Sequence, residues 1–305
     1  MAGSERAGGA RRRRRRAWWV PYACLAPAAA LLLIFVLYPV LSVFWYSLQS
    51  YNPTKPYLNA FVGLGNFQQI LTQDPLFRQS LWISVKWVVC EVVLQFCLGM
   101  GLALILNSTF RLRGLARAVV FSPWAVSGVA VTAMWTLMYN PFGGMFDTIL
   151  KSTGLARTPV QWLADTHLVF GAAVTAELWR GVPFFAILLL AALQAIPEEL
   201  YEAARVDGAS RVRAFVRITF PLLRDAIVLA TLLRAVWEFN NVDVLYTMTD
   251  GGPANLTTTL PLYIANQAIQ YHNFGYGSAL TVVGFLILLC FAIVYLRLSR
   301  FGQEI

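Results

Sequence analysis

Two stretches of the chain each carry an acid, an arginine and an aromatic ring at offsets that place them on one face of a helix. The first set is Glu177, Arg180, Gly181 and Phe184. The second set is Arg234, Trp237, Glu238 and Asn241. Carboxylates and amides hydrogen-bond pairs of hydroxyls, and an aromatic ring covers the apolar face of a sugar. The two faces therefore predict a site for a hydroxyl-rich ligand, at which Gly181 would let the ligand approach the backbone.

The same spacing also fits a purely structural role. Glu177 with Arg180, and Arg234 with Glu238, are three and four residues apart, which suits ion pairs within one helix. A charge in the middle of a membrane span costs about 2.5 to 3.5 kcal/mol on insertion scales, so charges there normally pair or face a wet cavity. Ligand contact and internal pairing both stay open for these charges.

Four more polar residues lie in or beside apolar stretches. Asn240 and Asp243 are weaker ligand candidates, and Asp243 is equally a candidate for holding the outer end of its helix. Lys86 and Glu91 are five residues apart and do not share a helix face. Neither is assigned a role beyond packing or gating.

The sequence carries no signature of catalysis or metal binding. No glycine-rich phosphate loop precedes any of the three lysines, so the chain is not expected to hydrolyse ATP. The histidines, His167 and His272, lack metal-ligand spacing, and the four cysteines all fall in apolar stretches. No nucleophile is paired with a base in any motif. We expect no enzyme activity, no metal and no cofactor bound by this chain.

Composition indicates an integral membrane protein. Hydrophobic residues make up 58% of the 305 residues, charged residues only 13%, and the mean hydropathy is +0.60. A helix needs about 20 apolar residues to cross about 30 Å of hydrocarbon. We predict an all-α fold with six transmembrane helices in a domain of residues 18–305, after a basic tail of residues 1–17. The predicted spans are 20–48, 81–106, 115–139, 168–196, 222–246 and 277–296.

The distribution of Lys and Arg predicts the orientation, because cationic loops near span ends stay in the cytoplasm. With the N-terminus inside, most of the 24 Lys and Arg residues fall on the cytoplasmic side. Those predicted to lie outside are Lys55, Arg78, Lys151 and Arg157. Both termini are therefore predicted to be cytoplasmic, in a protein that crosses the inner membrane several times.

The arginine run at residues 11–16 fits two other roles less well. A cleavable signal peptide has an apolar region of about 7 to 15 residues, whereas the apolar stretch here extends over residues 20–48. Nucleic-acid binding is not required, because the positive-inside topology already explains the net charge of +9. We predict an uncleaved signal anchor and no nucleic-acid partner.

Residues 197–221 form a polar, basic segment between the fourth and fifth predicted spans. Pro197 suits a helix start and is followed by an acidic first turn. Gly208 is a predicted left-handed stop, and Ser210 is a predicted cap for a second short helix. The segment predicts a helical elbow that stands off the bilayer in the cytoplasm and serves as a docking surface.

The order of small and apolar residues in this elbow is specific. Glu202-Ala203-Ala204 is followed after three residues by Gly208, after nine more by Ile218, and then by Phe220-Pro221. This pattern resembles the EAA loop of permease subunits of binding-protein-dependent ABC importers, in which Leu usually stands before the proline. The likeness extends over most of the chain to the carbohydrate-uptake group, which includes the maltose permeases. Supporting stretches are Phe61 to Phe67, Glu177 to Phe184, and Asp243 with Thr249 to Pro253, where Met248 and Asp250 depart from the common LTGGGP.

The resemblance implies a transmembrane subunit that moves a sugar to the cytoplasm by alternating access. In that family the EAA loop docks on the cytosolic ATPase, whose ATP cycle moves the spans. The implied partners are an ABC ATPase dimer that uses ATP and Mg, a second permease, an extracytoplasmic solute-binding protein, a sugar and membrane lipid. The implied coupling residues are Glu202, Ala203, Ala204, Asp207, Gly208, Ile218 and Pro221.

Several alternatives stay open. The loop of residues 246–276 lacks Lys and Arg and is either an irregular docking site for the binding protein or an ordinary solvated turn. The substrate is a sugar, or else a glycerol-phosphate-like polyol ester held by Arg180 and Arg234. An ion-coupled secondary transporter would use acids such as Glu91, and a membrane scaffold would not transport at all. The second permease is expected to be a different chain, although a homodimer is also possible.

Overall fold

The computed structural model describes residues 20–299, so the predicted basic tail of residues 1–17 lies outside the described residues. Two short strands, β1 (Gln49–Ser50) and β2 (Ala60–Phe61), pair antiparallel in the first outer loop. Everything else that is regular is helical. The helices are α1 (Val20–Leu32, continued by a π-helical turn at Leu33–Leu37 and by Tyr38–Ser47), α2 (Gly65–Thr72), α3 (Pro75–Asn107), α4 (Arg113–Phe121), α5 (Gly128–Met138), α6 (Met145–Ser152), α7 (Val169–Gln194), α8 (Glu198–Val206), α9 (Arg211–Ala214, continued by a π-helical turn at Phe215–Thr219 and by Phe220–Leu222), α10 (Arg224–Asn240), α11 (Asp243–Met248), α12 (Leu260–Ile269) and α13 (Phe274–Ser299).

Four helices within residues 20–299 are long and apolar enough to cross a bilayer: α1, α3, α7 and α13. α3 is the longest, with 33 residues, or about 50 Å at 1.5 Å per residue. It begins earlier than predicted because Asp74 caps it, accepting a hydrogen bond from the backbone N–H of Phe77 at 3.0 Å. At about 50 Å, α3 is longer than the roughly 30 Å of hydrocarbon that a spanning helix crosses, so it extends beyond the hydrocarbon core on at least one side.

Lys86 of α3 lies against an aromatic ring of α7. Its ammonium nitrogen is 4.1 Å from the ring centroid of Phe170, which belongs to the first turn of α7. A cation above an aromatic ring lowers the cost of a charge beside apolar helices.

The predicted span 115–139 is not one straight helix. The segment Arg113–Ala125 is bent by 96° from α5. Pro123 lies in a 3₁₀ turn at Ser122–Ala125, and Ser127 then caps α5 by accepting from the N–H of Ala130 at 3.4 Å. α4 and α5 therefore run in different directions.

The predicted span 222–246 is also interrupted. α10 has 17 residues, Asn241 is extended, and the short α11 follows. Discontinuous helices are common where transporters bind their substrates, because the break exposes backbone groups at membrane depth. The interruption lies beside the residues that the sequence nominated for ligand contact.

The helices pack around three apolar clusters within the described residues. One joins α3, α5, α7, α11 and α12 and includes Trp87, Trp135 and Leu245; the other two are called inner and outer after the orientation predicted from the Lys and Arg residues. In the inner cluster, Met100 and Leu106 of α3 meet Phe185 and Leu189 of α7. Gly99 permits this approach, because a Cβ there would lie 2.5 Å from the Cβ of Phe185. The outer cluster joins α2, α3, α10, α12 and α13 and comprises Ile70, Phe77, Phe239, Leu260, Tyr263, Tyr276, Ala279 and Leu280.

One carboxylate ties the outer cluster together. Oδ2 of Asp74 accepts hydrogen bonds from the hydroxyls of Tyr263 at 2.8 Å and Tyr276 at 2.5 Å. Since Oδ1 of the same residue caps α3, Asp74 connects the outer ends of α3, α12 and α13. This clasp fixes the outer end of α3 relative to its neighbours.

Candidate functional site

A buried polar cluster lies at mid-length of three packed helices, α3, α7 and α10. Its centre is Arg234, which is 5% exposed. The guanidinium donates through Nε to Oε1 of Gln95 at 2.6 Å and through Nη2 to Oε1 of Glu177 at 2.9 Å. Nη2 also lies 2.6 Å from Oε1 of Glu238, one turn along α10. One arginine thus holds groups from all three helices, two of them carboxylates closed off from water.

Arg180 extends the cluster along α7. It holds Glu177 in a two-pronged pair, with both N–H to carboxylate distances at 3.0 Å. A Cβ at Gly128, the first residue of α5, would lie 2.8 Å from Oδ2 of Asp243 and 3.4 Å from Nη1 of Arg180. Only glycine leaves room there for the arginine and the aspartate. The start of α5, the start of α11 and the middle of α7 therefore meet at this point.

α3 supplies three residues that the sequence argument did not nominate as ligand contacts. Gln95 donates through Nε2 to Oε2 of Glu91 at 2.8 Å and to Oε1 of Glu238 at 3.0 Å. The indole N–H of Trp87 donates to Oε2 of Glu238 at 3.2 Å. Oε1 of Glu91 is buried and has no partner among the described residues. The signal that could have found them is their spacing of four residues, which puts Trp87, Glu91 and Gln95 on one face.

Gly181 makes room for the cluster. A Cβ at this position would overlap with Nε2 of Gln95 and Nη2 of Arg234. In this conformation, the space beside the Gly181 backbone is filled by the protein's own side chains. Glycine at this position therefore allows Gln95 and Arg234 to pack against the backbone. Substrate contact at Gly181 stays a prediction.

The exposed side of the cluster carries a ring and two amides. Trp237 is 48% exposed, and its ring centroid lies 5.3 Å from that of the buried Phe184. Asn240 is exposed, and Asn241 is half-buried with its amide 3.5 Å from Oε2 of Glu238. The structure thus separates the nominated residues into a charged interior of Glu177, Arg234 and Glu238 and an accessible surface of Trp237, Asn240 and Asn241.

The elbow has the two short helices that the sequence predicted. α8 ends before Gly208, whose φ of +72° is left-handed, and Ser210 caps α9 by accepting from the N–H of Arg213 at 3.3 Å. The hydroxyls of Tyr201 and Thr219, 2.9 Å apart, join the two helices. Pro221 does not form a sharp turn, because α9 leads almost directly into α10.

The exposed face of the elbow does not pack against any other part of the described chain. None of the residues of α8 is buried, and Val206 is 88% exposed. Behind the elbow lies an open cavity of about 810 Å³ between α8, α9 and the inner ends of α3 and α7. The outward face of α8 is therefore accessible to a partner.

Comparison with known proteins decides the family. Residues 95–301 match the model for the family described as binding-protein-dependent transport system inner membrane component. The chain belongs to this family. The resemblance read from the elbow is thus confirmed, and the protein is a multi-pass ABC transporter permease of the inner membrane.

Two curated relatives cover nearly the whole chain. The trehalose/maltose transport system permease protein MalF of Thermococcus litoralis is 39% identical over 93% of this chain and 94% of its own. The sulfoquinovosyl glycerol transport system permease protein SmoG of Agrobacterium fabrum is 36% identical over 90% of this chain and 89% of its own. The similarity to both relatives therefore extends over most of the chain.

The fold is also found in a solved structure. A chain from the crystal structure of a bacterial ABC transporter that imports the acidic polysaccharide alginate superposes with a TM-score of 0.80. It is 22% identical, and the match covers 95% of this chain and 98% of that chain. The all-α permease fold predicted from the sequence is thereby confirmed.

Proposed function

We propose that this permease moves a neutral sugar, released by an extracytoplasmic solute-binding protein, to the cytoplasm in an ATP-driven importer. The observation that carries the proposal is the accessible surface of Trp237, Asn240 and Asn241 at the break between α10 and α11. A ring for the apolar sugar face and amides for its hydroxyls suit such a ligand. The relative named for trehalose and maltose supports the same substrate class.

The pairing of the arginines favours a neutral sugar over a phosphate ester. Arg180 and Arg234 both hold Glu177, and Arg234 also holds Glu238. Their donors are thus engaged by carboxylates of the same chain, and a phosphate would have to compete with those carboxylates. The polyol-phosphate alternative is therefore the weaker of the two.

In alternating access, a cytosolic ATPase would act on the permease through the exposed elbow. The outward face of α8, with Glu202, Ala203 and Val206, is free to dock on a cytosolic ATPase, which would bind and hydrolyse ATP with Mg. Ala204 is half-buried, while Asp207 and Gly208 are exposed in the turn. Ile218 and Pro221 are half-buried between the elbow and α10, where they would transmit its displacement to Arg234 and Glu238. This chain itself would carry out no covalent chemistry.

The remaining partners fit surfaces at the other ends of the molecule. No residue in the most apolar window of α1 is buried, so in an assembly this helix would be covered by lipid or by a second, different permease. The solute-binding protein would dock on the outer side. The loop after α11 is compact there, because the buried Thr257 and Thr258 both donate to backbone carbonyls within it, at Gly252 and Gly251. Both termini are proposed to be cytoplasmic.

Uptake into proteoliposomes tests the proposal. The permease would be reconstituted with its ATPase, the second permease and the binding protein, with ATP inside for inward transport, and radiolabelled maltose and trehalose offered outside. We expect uptake of at least one sugar that requires ATP and the binding protein and persists when ion gradients are dissipated. Uptake without the ATPase, or loss of uptake with a protonophore, would instead support a secondary transporter.

A further inference from the structure

The segment that leads into α4 has an exposed apolar stripe. Leu112, Leu115 and Val119 are 72%, 61% and 64% exposed. Leu115 and Val119, four residues apart, lie on one side of α4, and Leu112 directly precedes the helix. The other side of α4, with Ala116 and Val120, packs against the inner apolar cluster. The stripe is therefore not needed for packing within the described chain, and an apolar surface of this kind requires a covering.

The position of α4 identifies the surface that it meets. Nη2 of Arg117 donates to the carbonyl of Leu106 at 3.1 Å, so α4 is fixed to the last turn of α3. The positive-inside distribution assigns that end of α3 to the cytoplasmic side. Transmembrane helices lie within about 40° of the bilayer normal, and the segment from Arg113 is bent by 96° from α5. α4 therefore runs along the cytoplasmic surface of the bilayer.

Two arginines flank the apolar stripe. Arg111 and Arg113 are both exposed, and neither side chain forms an ion pair or a hydrogen bond with any residue between 20 and 299. They are adjacent in sequence to Leu112, at the end where the stripe begins. Free guanidinium groups bind phosphate oxygens in two-pronged pairs, while the neighbouring leucines match acyl chains.

We propose that residues 111–119 are an interfacial element that binds anionic phospholipid of the inner leaflet. Arg111 and Arg113 hold the phosphate headgroup, and Leu115 and Val119 lie in the upper acyl region. The occupant of this surface is lipid, and neither the ATPase nor the second permease covers it. The proposal concerns how the permease sits in its membrane and does not depend on which solute it carries.

The first test identifies what touches the stripe. A photo-reactive phenylalanine analogue is placed at Leu115 in the intact importer in its native membrane, and the products are separated into lipid and protein adducts. The same analogue at Val206 on the elbow serves as the control and is expected to label the ATPase. We expect lipid adducts at Leu115. Adducts to the ATPase or the second permease at Leu115 overturn the proposal, whereas failure at Val206 alone affects only the coupling assignment.

The second test measures the headgroup preference. The permease is placed in nanodiscs containing spin-labelled phosphatidylglycerol or phosphatidylcholine, and the immobilised fraction of each lipid is compared. We expect the Arg111→Gln/Arg113→Gln variant to lose several-fold of its preference for phosphatidylglycerol. The Arg205→Gln/Arg213→Gln variant, with the same change of charge on the elbow, is expected to keep it. An unchanged preference in the first variant, with unchanged thermal unfolding, overturns the proposal.

Discussion

Nη2 of Arg234 on α10 lies 2.9 Å from Oε1 of Glu177 on α7, and both side chains are closed off from solvent. The sequence suggested pairs only within each helix, whereas this pair joins two helices. Because the same guanidinium also holds Gln95 on α3, a relative movement of the three helices must break or exchange these bonds. A movement of α10 would therefore disturb the cluster and, through it, α3 and α7.

Removing the central guanidinium should destabilise the protein strongly. Arg234→Met leaves Glu177 and Glu238 without their shared partner in a buried site, and breaking such a pair costs about 3 to 5 kcal/mol. We expect a clear drop in the thermal unfolding temperature of the purified permease in detergent. Arg213→Met, an exposed position on the elbow, is the control. Equal unfolding temperatures for the two variants would contradict a role of the cluster in stability.

Two glycines on α7 offer a matched pair. A methyl group at Gly181 overlaps with Gln95 and Arg234, whereas one at Gly171 meets nothing within 4 Å. We expect Gly181→Ala to displace the cluster and reduce sugar uptake. Gly171→Ala should be neutral or stabilise by up to about 1 kcal/mol, because alanine is the better helix former. Uptake and unfolding are measured for both, and similar behaviour of the two would argue against the packing role of Gly181.

Trp237 should affect sugar affinity more than stability, because its ring is half exposed. Losing a stacked ring costs about 0.5 to 1.5 kcal/mol, which corresponds to a severalfold increase in the half-saturating sugar concentration for uptake. Leu229→Ala, on the same exposed side of α10 and 43% exposed, is the control. If Trp237→Ala transports with wild-type concentration dependence, the accessible surface is not the sugar site.

Val206 should be needed for assembly with the ATPase. It is 88% exposed at the end of α8, and a charge there would be buried without a partner on docking. We expect Val206→Asp to lose most of the ATPase that copurifies with a tagged permease. Leu155→Asp, 77% exposed in the outer loop after α6, should retain it. Full copurification with Val206→Asp would place the docking surface elsewhere.

The ion pair of Asp147 and Lys151 on α6 should make the local stability depend on pH. The hydrogen-bonded ammonium of Lys151, 2.5 Å from Oδ2, lowers the pKa of Asp147 below its usual value, and the N–H of Val160 donates to Oδ1 of the same carboxylate. A lowered pKa in the folded state contributes stability at neutral pH, and that stability is lost as the pH falls through the folded pKa.

Lys151→Met should raise the pKa of Asp147 and move this loss to higher pH. Limited proteolysis of the outer loop of residues 153–168, from neutral to acidic pH, measures the change, with Arg157→Met as the control. Identical pH profiles for Lys151→Met and the wild type would show that Lys151 does not protect this loop.

Spacing alone predicted the polar faces of α7 and α10, because helical periodicity is a local property. It did not show that the two faces meet around Arg234, since that depends on how the helices cross. Gln95 was missed because an uncharged amide in an apolar run is a weak signal by itself, although its spacing of four residues from Glu91 places both on one helix face. The bend before α5 had a visible signal in Pro123, whereas the break at Asn241 has none that a local argument could use.

The uninterrupted length of α3 has a consequence for its register. Asp74 fixes the helix at its outer end, Gln95 lies in the central cluster, and the carbonyl of Leu106 holds Arg117 at the inner end. Each added residue turns a helix by about 100°. A single insertion between Asp74 and Gln95 would therefore turn Asp74 by about 100° relative to Gln95 and Leu106, so that Asp74 and Gln95 could not both keep their present partners.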